Sequence, residues 1–583
     1  MTDNPPLCHG RQLLLDQACV EIYNADSSHS SKVYNVSSEC FKCLPQLLTS
    51  LGTHESKTFV VSTVYDTVLK FQIHGKNHEN AYSFGQHGHY KIAFNSSSVN
   101  FSPTSPADYV YAPLWYMLGS LLLATLLSAF LSWARTSEKV TRYLPSRFQS
   151  PNVLIEDAND DDLTGSSSRQ RSGDSSPLVP TPPVDIGKDS HRTASLDVFR
   201  GITVALMIFV NNGGGGYSIF HHSPWNGLTF ADVVFPWFAW IMGVSLVLSI
   251  QSQLRNTVSR PRVFVKILLR SLIIISLGIV LNSFKNNNIQ RLRIPGVLQR
   301  LGLAYLIVGT IEAFLMVPQN LITVLQGRAQ LVSDVIYGWK QWIIMLCLVT
   351  LHTGLVLFVK IDGCPRGYLG PGGLDRNGTA FNCTGGVTGY LDRVIFGANH
   401  IYQNPTSRHV YHSTMPFDPE GLLGTLMTAF SIFLGVNAGR VLIVYSSSIE
   451  RNARWMSLSF ICGILSLMLC AISKDRGVIP INKNLWSLSF VLATSSLAFV
   501  LLTVLYSIID VRRAWNGAPF RQVGRNAIFL YVGHIITHQT FPWSWSPIDH
   551  TTHSHALWMN LWSTVLWILI AVIMERCQVF ITI

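Results

Sequence analysis

Charge is scarce in this chain. Only 13% of its 583 residues are Asp, Glu, Lys or Arg, 48% are apolar and the mean hydropathy is positive, which excludes an ordinary soluble domain of this length. A basic stripe is lacking too: the formal charge is +11, but Lys and Arg fall in short clusters beside apolar runs. A nucleic-acid footprint is one patch or stripe, so no nucleic-acid partner is expected, and the clusters read as topology determinants. No internal repeat of the kind common in transporters is present. The Gly213–Gly216 run lacks the Gly-Lys-Ser/Thr ending of a P-loop. Met1 to Val20 has neither a basic start nor a continuous apolar core. The expectation there is an incomplete or processed N-terminus, or a first span acting as a reverse anchor.

What is present is a series of apolar runs near the ~20 residues that cross a bilayer as a helix. They lie at Tyr111–Ala134, Leu196–Val210, Leu228–Ile250, Val263–Leu281, Ile294–Val317, Trp342–Val359, Leu422–Tyr445, Ser457–Ile472, Leu485–Ile509, Ala527–Phe541 and Leu557–Met574. The expected fold is an α-helical polytopic membrane protein with about eleven transmembrane helices and a small β-rich luminal N-terminal domain. Residues 1–110 alternate short apolar and polar stretches as a β-rich domain does, and residues 111–134 are the first span. Residues 135–194, rich in Ser, Pro and Asp, read as a disordered cytosolic linker, and residues 195–583 as a ten-helix domain with a luminal loop at 361–420.

Arg135, Lys139, Arg142 and Arg147 follow the first span, while the fifteen residues before it hold no Lys or Arg. The N-terminus is therefore luminal and, by alternation, the C-terminus cytosolic. The clusters at Arg255–Lys266, Arg451 and Arg454, and Arg512–Arg525 then fall on the cytosolic side; Lys285, Arg291 and Arg293 are the exception. The N-x-Ser/Thr sequons at Asn35, Asn95, Asn100, Asn377 and Asn382 all fall in segments placed outside by charge. So do Cys8, Cys19, Cys40, Cys43, Cys364 and Cys383, an even set suited to an oxidising lumen. Cys364 with Cys383 and Cys40 with Cys43 are candidate bridges, although pairing does not follow from sequence.

Ionisable residues inside spans are functional suspects. Asp197 and Arg200, three apart, share a helix face and can pair. Asn211, the glycines, His222 and Asp232 follow at the luminal mouth, where only its titration near pH 6.5 singles out the histidine. Arg293, Arg300, Lys483, Asn526 and His534 lie at or inside span ends; Asn526 and His534, eight apart, are expected on one face lining a cavity. The competing readings are interfacial anchoring and packing.

The stretches SLDVFRGITVALMIFVNN, HHSPWNGLTFADVVFPWFAWIMG, RIPGVLQRLG, GCPRGYLGPGGLDRNG, NCTGGVTGYLDR, FDPEGLLGT, IPINKNLWSLSF and NAIFLYVGH resemble the heparan-α-glucosaminide N-acetyltransferase family over Ser195 to about His534. SSECFKC and YSFGQHGHYKIAF extend the likeness weakly into the N-terminal domain. Asn212 stands where an aromatic is expected and His221 where a lysine is; position before the WNGL stretch favours His222 over His221 as the active-site histidine.

The resemblance implies a multi-pass enzyme of the lysosomal membrane that moves acetyl from cytosolic acetyl-CoA to the terminal non-reducing glucosamine amine of luminal heparan sulfate, without a metal. It implies His222 and Asn211 as catalytic residues, Arg200, Asp197, Arg300 and Asn526 toward acetyl-CoA, and Arg293, Lys483, Asp232 and His534 toward the saccharide. Membrane lipid, and a homodimer, complete the expected partners. His222 suits a general base for the attacking amine, and Asn211 a group that orients it or meets the oxyanion; an acetyl-histidine intermediate is the competing mechanism. An acyltransferase for another luminal glycan, or a transporter using the same polar path, are the alternative functions.

Overall fold

The structure, a computed structural model, describes residues 7–26, 29–73, 76–95, 98–136, 193–284, 287–318, 332–546 and 551–581. The linker expected over 135–194 lies outside the described residues from 137 to 192, as does Lys285.

The N-terminal region is two four-stranded sheets around one apolar core. Strands β3 (Gln17–Asn24), β6 (Ser56–Ser62), β9 (His89–Phe94) and β10 (Val99–Ser105) form the first sheet in the order β10-β9-β3-β6, with β3 and β9 parallel. Strands β4 (Ser31–Ser37), β5 (Gln46–Leu51), β7 (Thr67–Ile73) and β8 (Lys76–Tyr82) form the second, β5-β4-β7-β8, all antiparallel. The short hairpin β1 (Leu7–Cys8) and β2 (Arg11–Gln12) is tied to β3 by a Cys8–Cys19 disulfide. Period-two alternation puts Val20 and Ile22, Leu69 and Phe71, and Ile92 and Phe94 into the shared core. The apolar stretch from Thr58 to Ile73 is divided at Thr63–Asp66, and its two strands go to different sheets.

Helix α1 (Ala112–Thr136) belongs to a separate compact unit, Val110–Arg192. Its 25 residues are long enough to cross a bilayer, and Trp115, Leu122 and Leu123 are exposed as lipid-facing side chains are.

The remaining spans are α2 (Ala194–Asn211), α3 (Phe230–Arg255), α4 (Arg260–Ser283), α5 (Val297–Leu315), α6 (Trp339–Phe358), then α8 (Gly424–Val444), α9 (Ser448–Cys470), α10 (Leu488–Tyr506) and α13 (His553–Arg576). By length and composition, nine helices among the described residues can cross a membrane, these among them, beside shorter apolar ones. The protein is thus a helical polytopic membrane protein with a β-rich N-terminal region. The run expected at Ala527–Phe541 is shorter: α11 (Phe520–Arg525) and α12 (Ala527–Ile536) meet at a break at Asn526. Van der Waals contact drives helix pairing in lipid, so small residues sit where backbones meet. A Cβ on Gly243 of α3 would strike the backbone of Ile432 and Val436 in α8, and one on Gly435 that of Trp240. Gly201 of α2 and Gly524 of α11 meet in the same way, which brings Arg200 and Arg525 to one end of the bundle.

The long loop before α8 is closed by the Cys364–Cys383 disulfide and carries helix α7 (Gly386–Phe396). The β region rests on it: Asn377 N donates to Lys42 O, Leu44 N to Leu374 O and Tyr411 Oη to Glu39 O. The Cys40–Cys43 disulfide lies within this contact. Asn100, Asn377 and Asn382 are exposed, whereas Asn35 and Asn95 are half-buried.

Candidate active site

Helix α2 ends at Asn211, and Gly213 to Gly216 all take positive φ, from 56° to 109°. That conformation is open to glycine at no steric cost, and it turns the chain back across the bundle end. His222 follows, and Thr229 with Asp232 forms the capping box that opens α3. The fully buried Asp232 carboxylate accepts on Oδ2 from Thr229 N at 3.2 Å, Thr229 Oγ1 at 2.9 Å and Ser223 N at 3.2 Å. Its Oδ1 lies 2.8 Å from His222 Nδ1. A carboxylate only accepts, so Nδ1 carries the proton and Nε2 keeps its lone pair.

Lys483 Nζ stands 3.0 Å from Nδ1 and 3.1 Å from Nε2 of His222, and 3.9 Å from Asp232 Oδ1. The loop that bears it is held by Asn482, whose Nδ2 donates to Asn226 Oδ1 and whose Oδ1 accepts from Leu485 N. Burial, then the Lys483 charge, hold the His222 imidazole below its ordinary pKa, with Asp232 opposing. Burial likewise lowers the Lys483 ammonium, against Asp232 and Glu420. The result is an oriented imidazole, biased toward its neutral form, whose side chain is 36% exposed.

Two cavities meet at this imidazole. One, of about 340 Å³, runs inside the bundle and is lined at one end by Arg200, Ser245, Gly524 and Arg525, and at the other by Asn211, His222, Glu420 and Lys483. Phe235, Phe238, Ile241 and Leu301 line its apolar middle. Arg200 and Asn211, eleven residues apart on α2, are separated by roughly 16 Å of helix. The second, of about 1070 Å³, is a cleft between the β region and the loops at the bundle end. His222 and Asn211 line both.

The residues singled out in the sequence separate into three groups. Arg200 lines the inner cavity, donating to Asp197 Oδ1 at 3.1 Å, Gly524 O and Ser245 Oγ. Asn211, Asp232 and Lys483 gather at His222, although Asn211 does not orient it. Its Nδ2 is 3.1 Å from His534 Nε2, and His534 Nδ1 is 3.2 Å from Leu530 O, so Asn211 donates to the His534 lone pair and retains a second N–H.

Arg300, Asn526 and Arg293 are engaged elsewhere. Arg300 does not line the inner cavity: it is 2% exposed, donates to Gly421 O and stacks on Trp486, because α5 starts at the His222 end. Asn526 is fully buried and pins the C-terminal backbone, donating to Val579 O and accepting from Ile581 N. Asn526 and His534 share no uninterrupted helix face and line neither cavity. Arg293 is engaged by Asp418 at 2.6 and 2.8 Å and Glu420 at 2.6 Å, which leaves it neutralised rather than open to an anionic ligand; Arg291 lines neither cavity.

Arg270 and Glu420 are cavity-lining residues that sequence reasoning passed over, and Arg525, read there as part of a cytosolic cluster, lines the same cavity. Arg270 interrupts an apolar run in α4 and stacks on Tyr305, and its buried Nε has no hydrogen-bond partner among the described residues. A lone arginine inside a span was the signal that marks it.

No family model matches the chain. Two known proteins do, each at 36% identity: heparan-alpha-glucosaminide N-acetyltransferase of Mus musculus over 603 residues, covering 98% of this chain and 89% of the relative, and that of Homo sapiens over 606 residues, covering 98% and 88%.

Proposed function

The chain belongs to the heparan-alpha-glucosaminide N-acetyltransferase family, and from that premise we propose that it carries acetyl from cytosolic acetyl-CoA through the bundle to the terminal non-reducing glucosamine of luminal heparan sulfate, in the lysosomal membrane. The observation that carries this reading is that His222 and Asn211 line both the inner cavity and the outer cleft. A group entering from one side meets an acceptor from the other at a single imidazole. The three disulfides support the sidedness. They lie with the β region and the long loop at the His222 end, while Arg255 and Arg260 mark the opposite one.

Arg200, Arg270 and Arg525 suit the anionic donor, and the apolar middle suits its pantetheine arm. At the far end the deprotonating amine attacks the thioester carbonyl carbon. His222 Nε2 takes the amine proton, the C–S bond breaks, and the proton passes to the departing thiolate. Asp232 holds Nδ1–H throughout, while Lys483 and the second N–H of Asn211 face the developing oxyanion.

Sealed vesicles with labelled acetyl-CoA outside and glucosamine inside test the reading. Label on the trapped amine is expected; relocation of solute without acetylation would make the protein a transporter instead. Label retained on the protein without acceptor, and lost in His222→Ala, would replace direct transfer by an acetyl-histidine.

Arg270→Gln is expected to raise the KM for acetyl-CoA about ten- to a hundredfold, the worth of one hydrogen bond to a charged group, with the acceptor KM unchanged. Steady-state kinetics in both substrates decides it.

Lys483→Met removes one of the two influences that lower the His222 pKa. The base must be neutral, so its pKa marks the acid limb of the rate profile. Removing the positive charge raises that pKa, and the limb moves to higher pH. Profiles of kcat/KM for wild type and variant with the same acceptor share the amine titration, so an unmoved limb would refute the assigned role of Lys483.

A further inference from the structure

Lys483 is the one primary amine among the described residues that line the inner cavity, and no cysteine lines it. It is held in place. Its side chain is 13% exposed and its carbonyl accepts from Trp486 N at 3.1 Å. The turn that carries it is fixed on one side by fully buried Asn482, bonded to Asn226, and on the other by fully buried Trp486, packed edge-on against Phe235 and Phe490.

Its amine stands where an acceptor amine must come. Nδ1 of His222 gives its proton to Asp232, so an Nζ hydrogen directed at the ring meets the lone pair of Nε2, 3.1 Å away. A primary amine donating to the general base, at the end of the cavity where the acetyl thioester arrives, reproduces the arrangement of the transfer step. Asp232 Oδ1 lies 3.9 Å off and is already engaged by His222. Burial, reinforced by Arg300 and Arg293 against Asp232 and Glu420, lowers the Lys483 pKa and so enlarges the share of free amine.

We propose that Lys483 is a self-acetylation site: with donor bound and no acceptor present, Nζ takes the acetyl group and the enzyme shuts itself off. The site rests on the acetyl-transfer reading for its donor, and it deepens that reading by adding a regulation. Neutral Nζ attacks the thioester carbonyl carbon, and an N–C bond forms as the C–S bond breaks. Of the two Nζ protons, one passes through His222 Nε2 to the departing thiolate and the other stays on the amide, giving an acetylated lysine and a free thiol. The product amide carries no charge. It removes the cation that faces the developing oxyanion and leaves an acetyl group against the base. An acceptor prevents this by displacing Nζ from Nε2 and taking the acetyl first.

The test incubates the full chain, in lipid nanodiscs, with isotope-labelled acetyl-CoA and no acceptor over many turnover times, followed by peptide mass spectrometry across Lys483. One acetyl group is expected on Lys483, accumulating with time and suppressed by saturating glucosamine. Activity on later addition of glucosamine should fall in step with the modified fraction, modified molecules being slower by about a hundredfold or more, the scale of one lost oxyanion donor. An acetyl-histidine would form within one turnover and pass its label to the added glucosamine; the Lys483 label should survive that chase and neutral hydroxylamine. His222→Ala should leave Lys483 unmodified, and Lys483→Arg, which keeps a cation, should show no loss of activity with time in the presence of donor. An unmodified Lys483 in protein that acetylates glucosamine, or equal modification in wild type and His222→Ala, would overturn the proposal. Acetyl on Lys483 without transfer to glucosamine would uphold the site and refute the acceptor assigned above; absence of both would refute the two together.

Discussion

His222→Ala is expected to lower acetyl transfer by three orders of magnitude or more, at the upper part of what a positioned acid–base group contributes, ~10²–10⁴. Folding should survive it. The imidazole is 36% exposed and its polar contacts are Asp232 and Lys483. Those two remain 3.9 Å apart as an ion pair once the ring is gone, so no buried charge is stranded. The capping box of Thr229 and Asp232 also persists. A glycosidase-sensitive mass shift equal to that of wild type serves as the control for insertion, and transfer to glucosamine is the readout. His221→Ala should be milder, because that ring points into the cleft without a carboxylate behind it. Full activity in His222→Ala would remove the histidine from both mechanisms and turn attention to His534, which Asn211 contacts.

The spans were legible because a helix in lipid needs a run of apolar residues whatever its neighbours do. Each expected run falls on a helix, most within a few residues of its bounds, although the helix under Ser457–Ile472 starts nine residues earlier, at Ser448. Ala527–Phe541 falls short, its helix ending at Ile536, and Asn526 just before it breaks the chain from α11, its amide binding the backbone of Val579 and Ile581, more than fifty positions away and invisible to a local window. Arg300 lies away from the inner cavity for a related reason. Its charge reads as a cavity group in one dimension, but the start of α5 at the His222 end buries it against Gly421 and Trp486. Lys285, Arg291 and Arg293 break the charge rule, and Arg293 is the one the resemblance turns toward the saccharide. The structure gives another account of Arg293: Asp418 and Glu420, from a loop 125 and 127 positions on, neutralise it. His222 was visible through its motif, while Asp232 was legible only as a group at the luminal mouth, turned by the resemblance toward the saccharide, and not as the partner of Nδ1.

Asp232→Asn is expected to cost nearly as much as loss of the histidine, by a different route. The substitution conserves volume, and its carbonyl can still accept from Thr229 and Ser223, so α3 keeps its cap. The amide nitrogen then faces His222 Nδ1, now 2.8 Å from Asp232 Oδ1. An N–H there demands a lone pair on Nδ1, which moves the proton to Nε2 and takes the base away from the amine. Reversal of an imidazole tautomer by this kind of exchange is worth about 10⁴ in rate in a serine protease. A loss of about 10³ or more in kcat, with acceptor KM little changed, is the result to look for. Raising the pH should not restore it, because the fault is the position of the proton rather than its presence. A purely structural Asp232 would instead show reduced yield and a normal rate per folded molecule. Activity within threefold of wild type would mean that the carboxylate does not set the tautomer and that Lys483, lying 3.0 and 3.1 Å from the two ring nitrogens, orients the base.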